Sequence, residues 1–123
     1  MGPRHPDTLT SLKNLGALLE AQGKLGEAEP LLRRALEGSE ATLGPTHPDT
    51  LDSLRNLGSL LQAQGKLGEA EPVYERSLEG REATLGPVHP ATLRSLDDLG
   101  ALLRAQARDD EAKLLLTAHA KPQ

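Results

Sequence analysis

Leucines recur at intervals of three and four residues in three separate stretches of the chain, a spacing that places them on one face of a helix. In the first stretch these residues are Leu9, Leu12, Leu15 and Leu19. Pro6 lies where the first turn of a helix tolerates proline, and Gly23 supplies a left-handed stop. The pattern therefore predicts a first helix, helix A, over about residues 6–22.

A second and longer helix, helix B, is predicted from Lys24 or Leu25 to about Leu43, where a Gly-Pro pair ends it. Pro30 lies inside this helix, and its ring presses on the carbonyl group four residues earlier. That residue is Gly26, whose backbone yields easily. We therefore expect a mild kink at Pro30 and not a break.

The whole two-helix pattern returns with a period of 42 residues, in copies at 5–46, 47–88 and 89–123. The first two copies differ at only ten of their 42 positions. A fixed period of this length indicates stacked supersecondary units, so residues 1–123 are expected to form a single domain of three helix pairs. Each pair needs a neighbour in order to bury its leucine stripe.

Composition supports an all-α fold and makes some classes of partner less favourable. The chain has no Phe or Trp and one Tyr, so its core must be built from Leu and Ala, which favour helices over strands. The net charge of -4 disfavours nucleic acid and anionic lipid as partners. No apolar run approaches the length of a membrane span, and no hydrophobic signal segment precedes the first copy. We expect a soluble, cytoplasmic protein.

The third copy departs from the other two after its first helix. Ala107 replaces the turn glycine, Asp109 replaces the leucine at the start of helix B, and Leu114 replaces the internal proline. A more polar terminal repeat is typical of a solenoid cap, so we interpret this copy as a cap. The alternative is a fragment of a longer array.

The same positions resemble the tetratricopeptide pattern W-x2-L-G-x2-Y…A-x3-F, with leucine in most of the aromatic places. In the first copy the matching residues are Leu12, Leu15, Gly16, Leu19, Ala28 and Leu32. The extra eight residues per repeat lengthen helix B, as in kinesin light chain repeats, which the sequence is similar to. This resemblance implies a right-handed α-solenoid of three stacked antiparallel helix pairs, with Gly16 and Ala28 where helices approach closely.

The resemblance also implies a function: an inner, concave wall made by the A helices that binds an extended peptide of a partner protein. The side chains expected to contact the peptide are Lys13, Asn14, Arg55, Asn56, Ser59, Gln62, Arg94, Asp98 and Arg104. The two asparagines can donate to and accept from a peptide backbone, and the cations Lys13, Arg55 and Arg94 can bind its acidic side chains.

A clamp on a C-terminal carboxylate, another ligand mode of the family, fits this wall less well. Lys13, Asn56 and Arg94 match that clamp, but Ala17 and Asp98 stand where an amide and a base are expected. An acid at residue 98 would repel a carboxylate. We therefore expect an extended, partly acidic peptide instead.

Two alternatives to peptide binding stay open. The cations of the A helices could be solvated surface charges without a ligand. The near-identical units could also stack end to end into homo-oligomers through apolar surface at the solenoid ends, with Leu114 and its two following leucines as one such surface.

No enzymatic site, metal or cofactor is predicted. The stretch from Gly16 to Lys24 does not match the spacing of a phosphate-binding loop. His5, His47 and His89 are separated by whole repeats, too far apart to share a zinc ion, and are better explained as residues that begin helices.

Overall fold

The computed structural model describes residues 5–106 and 114–118, and every regular element in them is an α-helix. Residues 114–118 are helical as well. The complete helices are Pro6–Ala21 (α1), Leu25–Leu43 (α2), Pro48–Ala63 (α3), Leu67–Leu85 (α4) and Pro90–Ala105 (α5). These bounds agree with the predicted A and B helices to within about one residue.

Each A helix begins at a histidine cap. The Nδ1 atoms of His5 and His47 accept a hydrogen bond from the backbone N–H two residues later, at 3.1 Å in both cases, and His89 does the same at 3.0 Å. A side-chain acceptor at this position satisfies one of the backbone donors that the first turn leaves unpaired. The histidines therefore begin helices, as the sequence predicted.

The B helices continue through their internal proline. α2 runs unbroken across Pro30 and α4 across Pro72. The prediction of no break is confirmed, and the mild kink stays a prediction. Both A-to-B turns are closed by a glycine with φ of +79°, Gly23 and Gly65, a backbone conformation that other residues adopt only with strain.

The helices pack on one another in chain order: α1 against α2, α2 against α3, α3 against α4 and α4 against α5. The architecture is the predicted right-handed α-solenoid of stacked antiparallel pairs. Within a pair the two helices approach closely at a glycine. A Cβ atom added to Gly16 would lie 2.5 Å from a methyl group of Leu32, and one added to Gly58 would lie 2.6 Å from the ring of Tyr74.

The core is centred on α3, which has helices on both sides. Five of its leucines are no more than 1% exposed: Leu51, Leu54, Leu57, Leu60 and Leu61. The corresponding prediction for α1 is wrong in part, because Leu15 is 47% exposed although its equivalent Leu57 is buried. Leu18, the equivalent of Leu60, is 54% exposed. No other described helix covers the side of α1 on which these two leucines lie.

Salt bridges on the B-helix side connect successive repeats. The Glu29 carboxylate of α2 accepts from Arg33 at 2.8 Å and from Lys66, at the start of α4, at 3.2 Å. The hydrogen bond from Arg33 is the main cause that lowers the pKa of Glu29 to about 2, and Lys66 acts in the same direction. Arg76 of α4 forms a further ion pair with Glu40 of α2.

The substitutions that suggested a cap, at Ala107 and Asp109, lie outside the described residues. Leu114 is described, and it is 71% exposed. Leu115 and Leu116 pack against the core from the segment 114–118. The third helix pair is therefore joined to the same core as the first two.

We expect Leu57→Ala to lower the free energy of unfolding by about 2–5 kcal/mol, since it leaves a cavity between α3 and its neighbours. Leu15→Ala is the matched control: it makes the same change at the equivalent position of the first repeat, where the side chain is half exposed, and should cost less than about 1 kcal/mol. Urea denaturation followed by circular dichroism measures both. Equal losses in the two variants would contradict the assignment of the core.

Candidate peptide-binding face

The nine residues predicted to bind a peptide lie on α1, α3 and α5 and are accessible to different degrees. The exposed ones are Asn14, Ser59, Arg94 and Arg104. The half-buried ones are Lys13, Arg55, Asn56, Gln62 and Asp98. These nine residues are called the inner face below. None of them is fully buried, so all retain surface for a ligand.

Four members of the inner face come together around one concavity of about 170 Å³. It is lined by Arg55, Asn56 and Ser59 of α3, by Asp98 of α5 and by Tyr74 of α4. We call it the central concavity. Its lining is mostly polar and combines hydrogen-bond donors and acceptors, which suits a peptide backbone or a polar side chain. The side chains of the chain itself do not fill it.

An ion pair spans the central concavity. The Nε atom of Arg55 donates to the Oδ2 atom of Asp98 at 2.6 Å, and the two side chains are 42% and 22% exposed. This hydrogen bond raises the pKa of the Arg55 guanidinium, so the cation is held more firmly than in water. Arg55 therefore already has a carboxylate partner within the chain.

Two hydrogen bonds from hydroxyl groups also involve the inner face. The Ser59 hydroxyl donates to a carboxylate oxygen of Glu20 at 3.0 Å, which joins α3 to α1. The Tyr74 hydroxyl donates to Oε1 of Gln62 at 3.2 Å, which joins α4 to α3. The inner face is thus cross-linked between helices before any ligand arrives.

Lys13 lies in a different environment, although it is the equivalent of Arg55. It lines a smaller concavity of about 40 Å³ together with Ser39, Asp49 and Ser53. Among residues 5–106 no ion pair of Lys13 with a carboxylate is found. Asn14, Arg94 and Arg104 line neither concavity.

Residues 5–106 and 114–118 contain no group of three or more His, Cys, Asp or Glu side chains placed to hold a metal ion. Within the same ranges, no helix combines the length and apolarity needed to cross a bilayer.

The model of the tetratricopeptide repeat family matches the chain twice, over residues 7–83 and 52–119. The two matches together leave only a few residues at each end uncovered. The chain belongs to the tetratricopeptide repeat (TPR) family. TPR repeats are protein-interaction scaffolds. No curated protein matches the chain in sequence.

Solved TPR structures resemble the whole described solenoid. Two crystal structures of the nearly identical TPR-like repeats of a Podosopora anserina protein assigned as a kinesin light chain superpose with TM-scores of 0.85 and 0.84, at 29% and 30% identity. Both cover 97% of this chain, which spans 56% of their length. BtubC (BKLC) from P. vanneervenii superposes with a TM-score of 0.86 over 95% of this chain and 47% of its own, and at 22% identity it supports the fold alone.

Sequence analysis missed two features of this TPR chain. The first is Tyr74: it is buried in a core that was predicted to contain only Leu and Ala, and it also lines the central concavity. The second feature is Arg81, which is 9% exposed and donates to Asp52 at 2.7 Å. A signal existed in both cases, because these positions differ between the repeats. Tyr74 stands where the first repeat has Leu32, and Arg81 and Asp52 stand where it has Ser39 and Thr10.

Tyr74 should titrate near pH 12. Burial is the main cause that raises its pKa to about 12, and the negative charge of Asp98 adds to it. The folded pKa lies above the ordinary value of 10.0, so the associated stability is complete below pH 10 and is lost as the pH rises through 12. Tyrosinate absorbance reports this residue alone, because the chain has one Tyr and no Trp.

The control for this titration is the chain unfolded in urea, which should titrate near pH 10. A folded protein that titrates at the same pH as the unfolded chain would show that the Tyr74 hydroxyl is in contact with bulk water.

Proposed function

We propose that this TPR chain binds an extended, partly acidic peptide of a partner protein across the A helices α1, α3 and α5. The central concavity supports this most directly, since it is an open, polar space on the inner face of about 170 Å³. Side-chain contacts join α1 to α3 and α3 to α5. An extended peptide of about eight residues, roughly 26–29 Å long, would span all three A helices.

The asparagines supply the part of recognition that does not depend on the peptide sequence. Asn56 lines the central concavity, and its equivalent Asn14 is exposed on the neighbouring A helix. An amide side chain can donate to a backbone carbonyl and accept from a backbone N–H at the same time. Two such groups on successive helices would hold an extended backbone at two separated points.

The cations supply a preference for acidic side chains. Lys13, Arg94 and Arg104 are accessible and lie on α1 and α5, at the two sides of α3. A carboxylate next to any of them would gain a charge-assisted hydrogen bond. Arg55 contributes less than the sequence suggested, because Asp98 already binds it.

The test is a titration of the labelled protein with a library of acidic peptides of about eight residues, followed by NMR. Shifts should cluster at Lys13, Asn14, Asn56, Ser59 and Arg94. The double variant Asn14→Ala plus Asn56→Ala should bind about tenfold or more weakly, since each lost backbone hydrogen bond costs roughly 0.5–1.5 kcal/mol.

Gln22→Ala is the control, because it removes an exposed amide in the turn after α1 and should leave binding unchanged. Shifts confined to the B helices, or equal binding by the double variant and the control, would reject a peptide site on the A helices.

Self-association is a second candidate function, and the exposed leucines of α1 favour it. Leu57 and Leu60 of the second repeat are buried where α2 packs against α3, whereas their equivalents Leu15 and Leu18 are about half exposed. A B helix of a second copy would cover them in the same way. The two functions use different surfaces and are compatible.

If these leucines mediate self-association, the mass in solution should rise with concentration above the 13.1 kDa of one chain. Leu15→Ser plus Leu18→Ser should hold the protein at the mass of the monomer, because it removes the apolar surface. Sedimentation equilibrium measures both proteins. A wild-type mass that does not change with concentration would exclude this function.

A further inference from the structure

The ion pair between Arg55 and Asp98 affects which ligands the inner face can bind. The equivalent residues one repeat earlier cannot form such a pair, because one of them is an asparagine. Arg55 is the equivalent of Lys13, and Asp98 is the equivalent of Asn56, one repeat later in each case. Asn56 therefore has the same position relative to Lys13 in the repeat as Asp98 has relative to Arg55. At the repeat position where Arg55 meets a carboxylate, Lys13 has a neutral amide as its counterpart. Asp49 lines the concavity beside Lys13, but no ion pair between the two is found within residues 5–106.

From this comparison we infer that Asp98 acts as an internal competitor for the acidic residues of the peptide, closing the acid site at Arg55 and leaving the one at Lys13 open. The inference rests on the proposed function and specifies where on the inner face the acidic side chain binds. Asp98 is thus a specificity-determining residue.

The geometry of the central concavity explains the closure. The Asp98 carboxylate lies 2.6 Å from the Arg55 Nε atom, which leaves no room for a second carboxylate at that nitrogen. An acid that approached the other guanidinium nitrogens would come close to Asp98, and two like charges at such an interface oppose binding. Neutral and hydrogen-bonding groups do not meet this repulsion, and Asn56, Ser59 and Tyr74 remain available to them.

Asp98 can nevertheless be substituted in order to test this inference. Arg55 is 42% exposed, and ion pairs with this much contact with water contribute little to stability. Removal of the Asp98 charge should therefore leave the solenoid folded. Asp98→Asn reproduces at the second junction the chemistry that the first junction has naturally.

The experiment compares three variants by NMR titration with a probe of about eight residues of alternating glutamate and serine, and with its glutamine counterpart. In the wild type, Lys13 should shift and the Arg55 side-chain Nε–H signal should not. Asp98→Asn should bind the glutamate probe roughly three- to tenfold more tightly, with a new shift at Arg55. Asn56→Asp should weaken binding by a similar factor, because it closes the site at Lys13.

Asp97→Asn is the charge-matched control. It removes one negative charge from the adjacent, exposed residue of α5, for which no ion pair is found among the described residues, and should change the affinity less than twofold. The gain in Asp98→Asn should also shrink at high salt and be absent with the glutamine probe, since it is electrostatic.

The outcomes separate this inference from the proposed function. A wild type that binds the glutamate probe at the inner face, with no gain in Asp98→Asn or an equal gain in Asp97→Asn, would overturn the inference and leave the function standing. Absence of inner-face shifts in the wild type and in all three variants, with both this probe and the peptide library, would overturn both.

Discussion

The structure depends on the burial of the A-helix leucines against the B helices that adjoin them in the chain. α3 shows the effect most clearly: Leu57 and Leu60 are no more than 1% exposed because α2 lies on one side and α4 on the other. Complete burial of a leucine contributes roughly 1.5–3 kcal/mol, so a few such residues outweigh any surface ion pair. Leu15, with the same neighbours in sequence, is half exposed because no described helix covers it. Stability is therefore a property of the junctions between repeats.

The same stacking creates the inner face. Because equivalent helices lie side by side, a side chain meets residues about one period away in sequence: Arg55 meets Asp98 and Ser59 meets Glu20. The residues of these contacts are 43 and 39 positions apart in sequence, each within about one helical turn of the repeat period. A polar residue on an A helix therefore lies close to side chains of a neighbouring A helix. Whether it can bind a ligand depends on the charges and hydrogen-bonding groups of those side chains.

This dependence explains how far the sequence could predict the molecule. Features set by local chemistry were predictable, including the helix bounds, the histidine caps and the glycine stops, because each depends on residues a few positions apart. The repeat period and the leucine stripe predicted the order of packing. The exposure of Leu15 and the pairing of Arg55 were not predicted, because both depend on what an adjacent helix places opposite them. Composition predicted a core of Leu and Ala alone, so the burial of Tyr74, which is 4% exposed, was not predicted. Its hydroxyl group reaches Gln62 across a helix interface that the pattern of one helix does not describe.

The ten differences between the first two repeats leave the A-helix leucines unchanged and alter the polar contacts. At least seven of the ten altered residues of the second repeat make polar side-chain contacts: Asp52 with Arg81, Gln62 with Tyr74, Arg55 with Asp98, Ser59 with Glu20 and Ser77 with Ser95. Two of these contacts join residues that both differ between the copies, so the change at one position is matched by a change at the other.

The A-helix leucines are identical in both copies. Since the leucines hold the stack, polar residues can be exchanged at little cost to the fold, and each exchange changes which charges the inner face presents. In this chain Asp98 presents its charge to Arg55, and so the two repeat junctions differ electrostatically on a nearly identical scaffold.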